Sequence, residues 1–126
     1  MGANPRVSPI GDRIWSSMQG LTWRPGAPVG RADLRYLQIN YWGFDGYRSR
    51  GEMVLNGATV TAAADAFTEL YHRRFPIRQM VLPDRFGPMP RGSHLGADDY
   101  ASMAADNTSG FNYRYVDGTE TTSKIL

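Results

Sequence analysis

No cysteine occurs among the 126 residues, which excludes disulfides and thiolate metal sites and leaves no clue to a redox compartment. No apolar run comes near the roughly 20 residues that a membrane-spanning helix needs, so no membrane span is expected. The opening M-G-A-N-P-R-V-S-P-I-G lacks the apolar stretch of a secretory signal, so no leader is expected there. Lysine is almost missing: Lys124 is the single one, and arginine supplies nearly all the positive charge. The arginines are scattered, with Arg73-Arg74 the one tight pair, and the formal net charge is only +2. A nucleic-acid-binding chain more typically carries a basic stripe, so no nucleic-acid partner is expected. Histidine is scarce as well, with His72 and His94 the only two.

What is present describes an ordinary globular chain. A hydrophobic content of 41% with 21% charged residues suits one domain, long enough to bury a core without a disulfide or a structural metal. Residues 1–30 are rich in Pro, Gly and Trp (Trp15, Trp23, Pro25, Pro28) and read as an extended arm docked by its aromatic rings. Residues 31–126 form the main domain. Within it, L-R-Y-L-Q-I-N-Y-W (Leu34 to Trp42) alternates, placing Leu37, Ile39 and Tyr41 on one face of a half-buried strand. Asp45-Gly46 signals a turn, and E-M-V-L (Glu52 to Leu55) returns as the partner strand of a loose hairpin.

The spacing of Val60, Ala63, Ala64, Phe67, Leu70 and Tyr71 predicts an amphipathic helix from about Thr59 to Arg74, stopped by Pro76. Pro76 to Leu82 reads as a buried strand with Ile77, Val81 and Leu82 as its apolar content. A Pro- and Gly-rich loop from Pro83 to Gly96 follows, then a short helix beginning near Asp98 or Asp99, then a strand F-N-Y-R-Y-V turned at Asp117-Gly118. The pattern predicts an α+β domain with a mainly antiparallel sheet packed with helices.

The stretch with the most chemical character is D-N-T-S-G-F-N-Y-R, Asp106 to Arg114. On a strand, Phe111 and Tyr113 face one side as anchors, while Asn112 and Arg114 face a groove or solvent. A guanidinium held on a rigid strand suits bidentate capture of a carboxylate. The alternative is a surface arginine beside Asp106 or Asp117. Asn107-Thr108-Ser109 also spells a glycosylation sequon, read here as a loop and helix terminus. His72 falls in the last turn of the long helix, where a cation or capping donor is favoured. His94, in G-S-H-L-G-A-D-D, has carboxylates at Asp98 and Asp99, but two histidines on a loop and a helix make a poor zinc site.

Taken together, D-N-T-S-G-F-N-Y-R with the following T-T-S-K, Y-W-G-F-D-G, L-Y-H-R-R-F-P-I-R-Q-M and A-S-M-A-A-D-N-T-S resemble the VanY-type D-alanyl-D-alanine carboxypeptidases and their L-alanyl-D-glutamate endopeptidase relatives. The likeness runs from about Trp23 onward and rests on the order and spacing of the motifs. It implies a Hedgehog/D,D-peptidase-like fold and a zinc peptidase acting on the D-amino-acid-containing peptides of the bacterial cell wall. It implies that Arg114 binds substrate, with Asp106, Asn112 and Ser109 shaping the same wall and Ser123 bordering the metal site. The partner it implies is a peptidoglycan stem peptide or another D-Ala-ended peptide.

In that family a motif S-x-H-x-x-G-x-A-x-D supplies a zinc-binding His and Asp, and a second His and a base Glu come later. Three such ligands leave an open position at which bound water attacks the amide. Here Ser123 and Lys124 match the start of the motif, Ile125 stands where the His belongs, and Leu126 is the final residue. The chain is therefore expected to be the front part of such an enzyme, incomplete at the C-terminus, holding no zinc and no complete catalytic set. The family also implies a Cys pair at the positions of Ala27 and Tyr113, and both are absent together. A non-catalytic module that binds stem peptides is the alternative function. A sheet face left uncovered would add a tendency to self-associate. Location stays open, since the family works outside the membrane and no export signal is visible.

Overall fold

A computed structural model of the chain describes residues 2–86, Ala105 and residues 107–111. Its centre is an antiparallel hairpin of two equal strands, β2 (Leu34–Trp42) and β3 (Arg48–Asn56), paired along their full length from Leu34↔Asn56 to Trp42↔Arg48. A short strand β1 (Arg6–Ser8) pairs antiparallel with the outer side of β2, giving the order β1-β2-β3. Two helices complete the described elements, α1 (Asp12–Met18) and α2 (Val60–His72). The class is thus α+β with an antiparallel sheet, as the sequence pattern requires.

Alternation along the hairpin sorts the side chains into two layers. Leu37, Ile39, Tyr41, Met53 and Leu55 point to one side and bury against Val60, Ala64 and Tyr71 of α2, with Ala63 and Phe67 at the margin. Leu34 and Val54, with Tyr36 partly buried, point to the other side. There they meet Ile10, Met18, Val29, Leu82 and Phe111, flanked by Ile14, Trp15 and Trp23. Both faces of the described sheet are therefore covered. The open apolar face expected to drive self-association is filled by the N-terminal segment.

That segment differs from the extended arm expected for residues 1–30. It docks by its rings, Trp15 and Trp23 lying 4.6 Å apart with the Trp23 indole N–H donating to the Val29 carbonyl at 2.7 Å. It also contributes β1 and α1. The helix forms because Ile14, Trp15 and Met18 make a short apolar stripe that only the second sheet face can bury. Arg31 clips the segment in place, donating to the Ile10 carbonyl at 2.8 and 3.0 Å and to Asp12 at 2.7 Å.

The hairpin loop, Gly43 to Tyr47, closes through Tyr47 N–H on the Asp45 carboxylate (2.9 Å) and Gly43 N–H on the Tyr47 carbonyl (2.8 Å). β3 begins at Arg48, four residues before the expected start at Glu52, because cross-strand pairing with β2 recruits the polar Arg48 to Gly51 as well. The stretch Pro76 to Leu82, expected as a strand, is not one. Pro76 and Pro83 bracket it, and its contacts are single: Ile77 N–H to the Trp42 carbonyl (2.8 Å), and Glu52 N–H to the Met80 carbonyl (3.0 Å). Its buried residues are Ile77, Met80 and Leu82, with Met80 replacing Val81 in the expected set. Pro83–Phe86, expected as loop, is a 3-10 turn.

Two glycines permit the close approaches on β3. A Cβ on Gly51 would sit 2.6 Å from the Met80 sulfur, and one on Gly110 would collide with the Val54 carbonyl oxygen. Gly110→Ala is expected to destabilise the domain by about 1–3 kcal/mol, since backbone must move. Gly51→Ala should also destabilise, because the added methyl would lie 2.8 Å from the Met80 Cβ as well as close to the sulfur, so the Met80 backbone must give too. Urea unfolding of the two variants beside the parent checks both losses.

Candidate functional site

The motif Asp106 to Arg114 enters the described structure at Ala105 and residues 107–111. Asn107 holds it. Its side-chain carbonyl accepts from Val81 N–H at 2.9 Å, and its amide donates to the Val81 carbonyl at 3.0 Å. This two-point clasp mimics a strand pair, and the backbone extends it, Thr108 N–H donating to the Gln79 carbonyl at 3.0 Å. Gln79 reaches back to the Ala105 carbonyl at 3.2 Å. Beyond Gly110, Phe111 N–H donates to the Val54 carbonyl at 2.8 Å and the ring is fully buried.

Among the expected site residues, Ser109 lies on this segment and is exposed. Asp106, Asn112, Arg114 and Ser123 lie outside the described residues, as do Tyr113, His94, the expected helix near Asp98 and all of the expected last strand after Phe111. Asn107, read from the sequence as one of the residues shaping the loop, proves to be the residue that fastens the motif to the fold. The signal for it is chemical: a short amide side chain can satisfy one backbone N–H and one C=O together.

Phe111 and Leu82 share the second core layer, and the same layer floors a cleft of about 250 Å³. Arg13, Ile14 and Ser17 of α1 form one wall, and Glu52, Leu82 and Arg85 form the other. Glu52 organises its polar part. One carboxylate oxygen accepts from the Tyr36 hydroxyl at 2.5 Å, and the other lies 3.7 Å from the Arg85 guanidinium. Tyr36 sits two residue pairs along the hairpin from Glu52, so the contact is a diagonal across the ladder. The α1 residues arrive because Ile14 packs on the second layer, which leaves Arg13 and Ser17 along the cleft.

Burial is the main reason the Tyr36 phenol is pushed up to about 12; the hydrogen bond to Glu52 and that carboxylate's charge add to it. The Gln38 hydrogen bond and the Arg13 charge act in the opposite direction. Tyr36 therefore stays protonated at neutral pH and donates to Glu52. The cleft then presents two guanidiniums against one carboxylate already engaged on both oxygens. Its electrostatic preference is for a small anion such as a carboxylate.

A zinc site does not fit the residues in view. Among the described residues no three His, Cys, Asp or Glu side chains come together to hold a metal ion. His72 ends α2, exposed, with its ring centre 5.9 Å from the Tyr71 ring centre in an edge-on arrangement. Nor is any helix of the described residues long and apolar enough to cross a membrane. No family model, no curated protein and no solved structure matches the chain.

The Tyr36 shift fixes a pH dependence. Its folded-state value lies above the ordinary 10.0, so the stabilisation is complete below about pH 10 and is lost as pH rises towards about 12. Thermal melts between neutral pH and pH 12 should show this alkaline loss, and Tyr36→Phe should make it shallower while lowering stability at neutral pH.

Proposed function

We propose that the chain is a peptidoglycan-directed protein of the zinc D-alanyl-D-alanine carboxypeptidase type, with a Hedgehog/D,D-peptidase-like fold. On this reading it forms the substrate-side wall of such a domain. Arg114 grips the carboxylate of a D-Ala-ended stem peptide, Asn112, Ser109 and Asp106 shape the groove, and Ser123 borders the family's metal position. The observation that carries the reading is the ordered set of motifs ending in D-N-T-S-G-F-N-Y-R. Two contacts support it. The Asn107 clasp on Val81 and the bare Gly110 against Val54 give the motif's residue types a physical purpose. The cleft with Arg13 and Arg85 adds positive charge on the core layer that also takes in Phe111.

No hydrolytic step is assigned to these 126 residues, because the family's S-x-H-x-x-G-x-A-x-D run is not among them. A second reading is a module that binds stem peptides without cleaving them, for which the cleft lined by Arg13 and Arg85 would suffice. The two share the groove and differ only in whether a metal is held.

Calorimetric titration with an acylated peptide ending in D-Ala-D-Ala tests both. Binding is expected, weakened about tenfold or more by Arg114→Ala and absent for the L-Ala-L-Ala counterpart. Metal analysis of the dialysed protein should find well under one zinc per chain. Equal affinity for the two peptides, or indifference to Arg114→Ala, overturns the groove; one tightly held zinc per chain overturns the account of the metal.

A further inference from the structure

The far end of the β2–β3 hairpin carries a surface that the groove does not use. Phe44, Tyr47 and Phe75 are 60%, 74% and 57% exposed, far more than large aromatic side chains usually are. They meet at one end of the molecule because Ile77 N–H bonds the Trp42 carbonyl, which brings the chain after α2 against the hairpin tip. Guanidiniums lie over rings at this end. Arg74 lies 4.6 Å above the Trp42 ring and Arg48 6.0 Å from it, and Arg78 lies 4.7 Å from Phe44. Asp45 is the acid of the loop, and its carboxylate is turned to the Tyr47 N–H.

Arg74 shows that this arrangement is held against a local cost. The end of α2 is a Schellman turn: Arg74 N–H bonds the Tyr71 carbonyl and Phe75 N–H bonds the Leu70 carbonyl, both at 3.0 Å. The residue in the left-handed position of such a turn is usually glycine, yet here Arg74 has φ of 55°. A strained, non-glycine residue whose guanidinium lies over the Trp42 ring points to use of that side chain. A guanidinium stacked on a ring can still use its N–H edge for anionic oxygens, and Arg48 also donates to the Tyr71 hydroxyl at 3.4 Å.

We infer that this hairpin end is a docking surface for an anionic polysaccharide, with sugar faces stacking on Phe44, Tyr47 and Phe75 and carboxylates meeting Arg48 and Arg74. The surface mixes flat apolar rings with cations, which matches a ligand that alternates apolar ring faces with negative charge. Choosing a glycan over a single-stranded nucleic acid rests on the cell-wall reading above and on the low net charge of +2. The surface would hold the protein on the glycan strand while the groove engages the peptide.

The test uses the whole 126-residue protein and peptide-free peptidoglycan glycan strands bearing their lactyl carboxylates, with dextran and a thymidine oligonucleotide as comparisons. Binding is read by calorimetry and by quenching of tryptophan emission. Glycan strands should bind, more weakly as salt rises, and dextran should not. Arg74→Gly, which relieves the strained turn, should stay folded yet lose about tenfold in affinity, as should the Phe44→Ala/Tyr47→Ala double variant. Tighter binding of the oligonucleotide, no binding of glycan, or equal binding by the variants overturns the inference. So does concentration-dependent dimerisation abolished by the same substitutions. Titration of the D-Ala-D-Ala peptide in parallel separates the two ideas: patch variants should bind it normally, and its loss with glycan binding intact would sink the peptidase reading alone.

Discussion

The full-length pairing of β2 with β3 is the constraint from which the rest of the molecule follows. Nine residue pairs in a single antiparallel register assign every side chain to one of two faces, and both faces carry large apolar groups. A slip of one position would exchange Leu37 and Ile39 with Tyr36 and Gln38, and neither layer could then be packed. Two-sided burial is what obliges the chain to supply a cover on each side: α2 for one, the N-terminal helix and tryptophans for the other. It also leaves the outer edge of β3 as the place where later segments must attach, and Met80 and Phe111 attach there.

That edge connects fold to function. Segments that join a sheet through single hydrogen bonds, not a continuous ladder, need other fixings. Here those are the Asn107 side chain, the missing Cβ atoms of Gly51 and Gly110, and the buried Met80 and Phe111. None of them is a continuous ladder. Together they hold the start of the motif in one place, and a binding side chain on a continuation of that segment gains from a fixed origin. Glu52 belongs to the same economy of design: one carboxylate ties the Tyr36 phenol, faces Arg85 and leaves the cleft with a net positive lining.

The two ends of the hairpin are chemically distinct. Near Tyr36 and Glu52 the polar groups are partly buried and mutually satisfied, which favours recognition of a small charged group in a confined space. At the Gly43–Tyr47 loop the rings are open and the cations lie on their faces, which favours an extended partner that can spread over them. Arg74 is the residue in which local backbone preference and observed conformation disagree most plainly. Disagreement of that kind, sustained within an otherwise consistent turn, is more informative than exposure by itself.

Periodicity in the sequence was enough for the elements whose cores are local. Leu37, Ile39 and Tyr41 alternate, Val60, Ala64 and Tyr71 recur at helical spacing, and both patterns survive in the folded chain because each element buries its own stripe. The sequence also named Ser109 and its neighbours as a candidate wall through resemblance of motifs, and determined that no thiolate site exists. What only the tertiary structure decided is what depends on a partner distant in sequence. The helix at Asp12–Met18 is short enough to need the second sheet face before it is stable. Pro76 to Leu82 has strand-like residues but finds no ladder. Asn107 acquires its purpose only when Val81 is brought beside it, and the aromatic end exists only because the chain after α2 returns to Trp42. Each depends on a contact whose loop-closure entropy has to be met by packing elsewhere, and no local pattern records that.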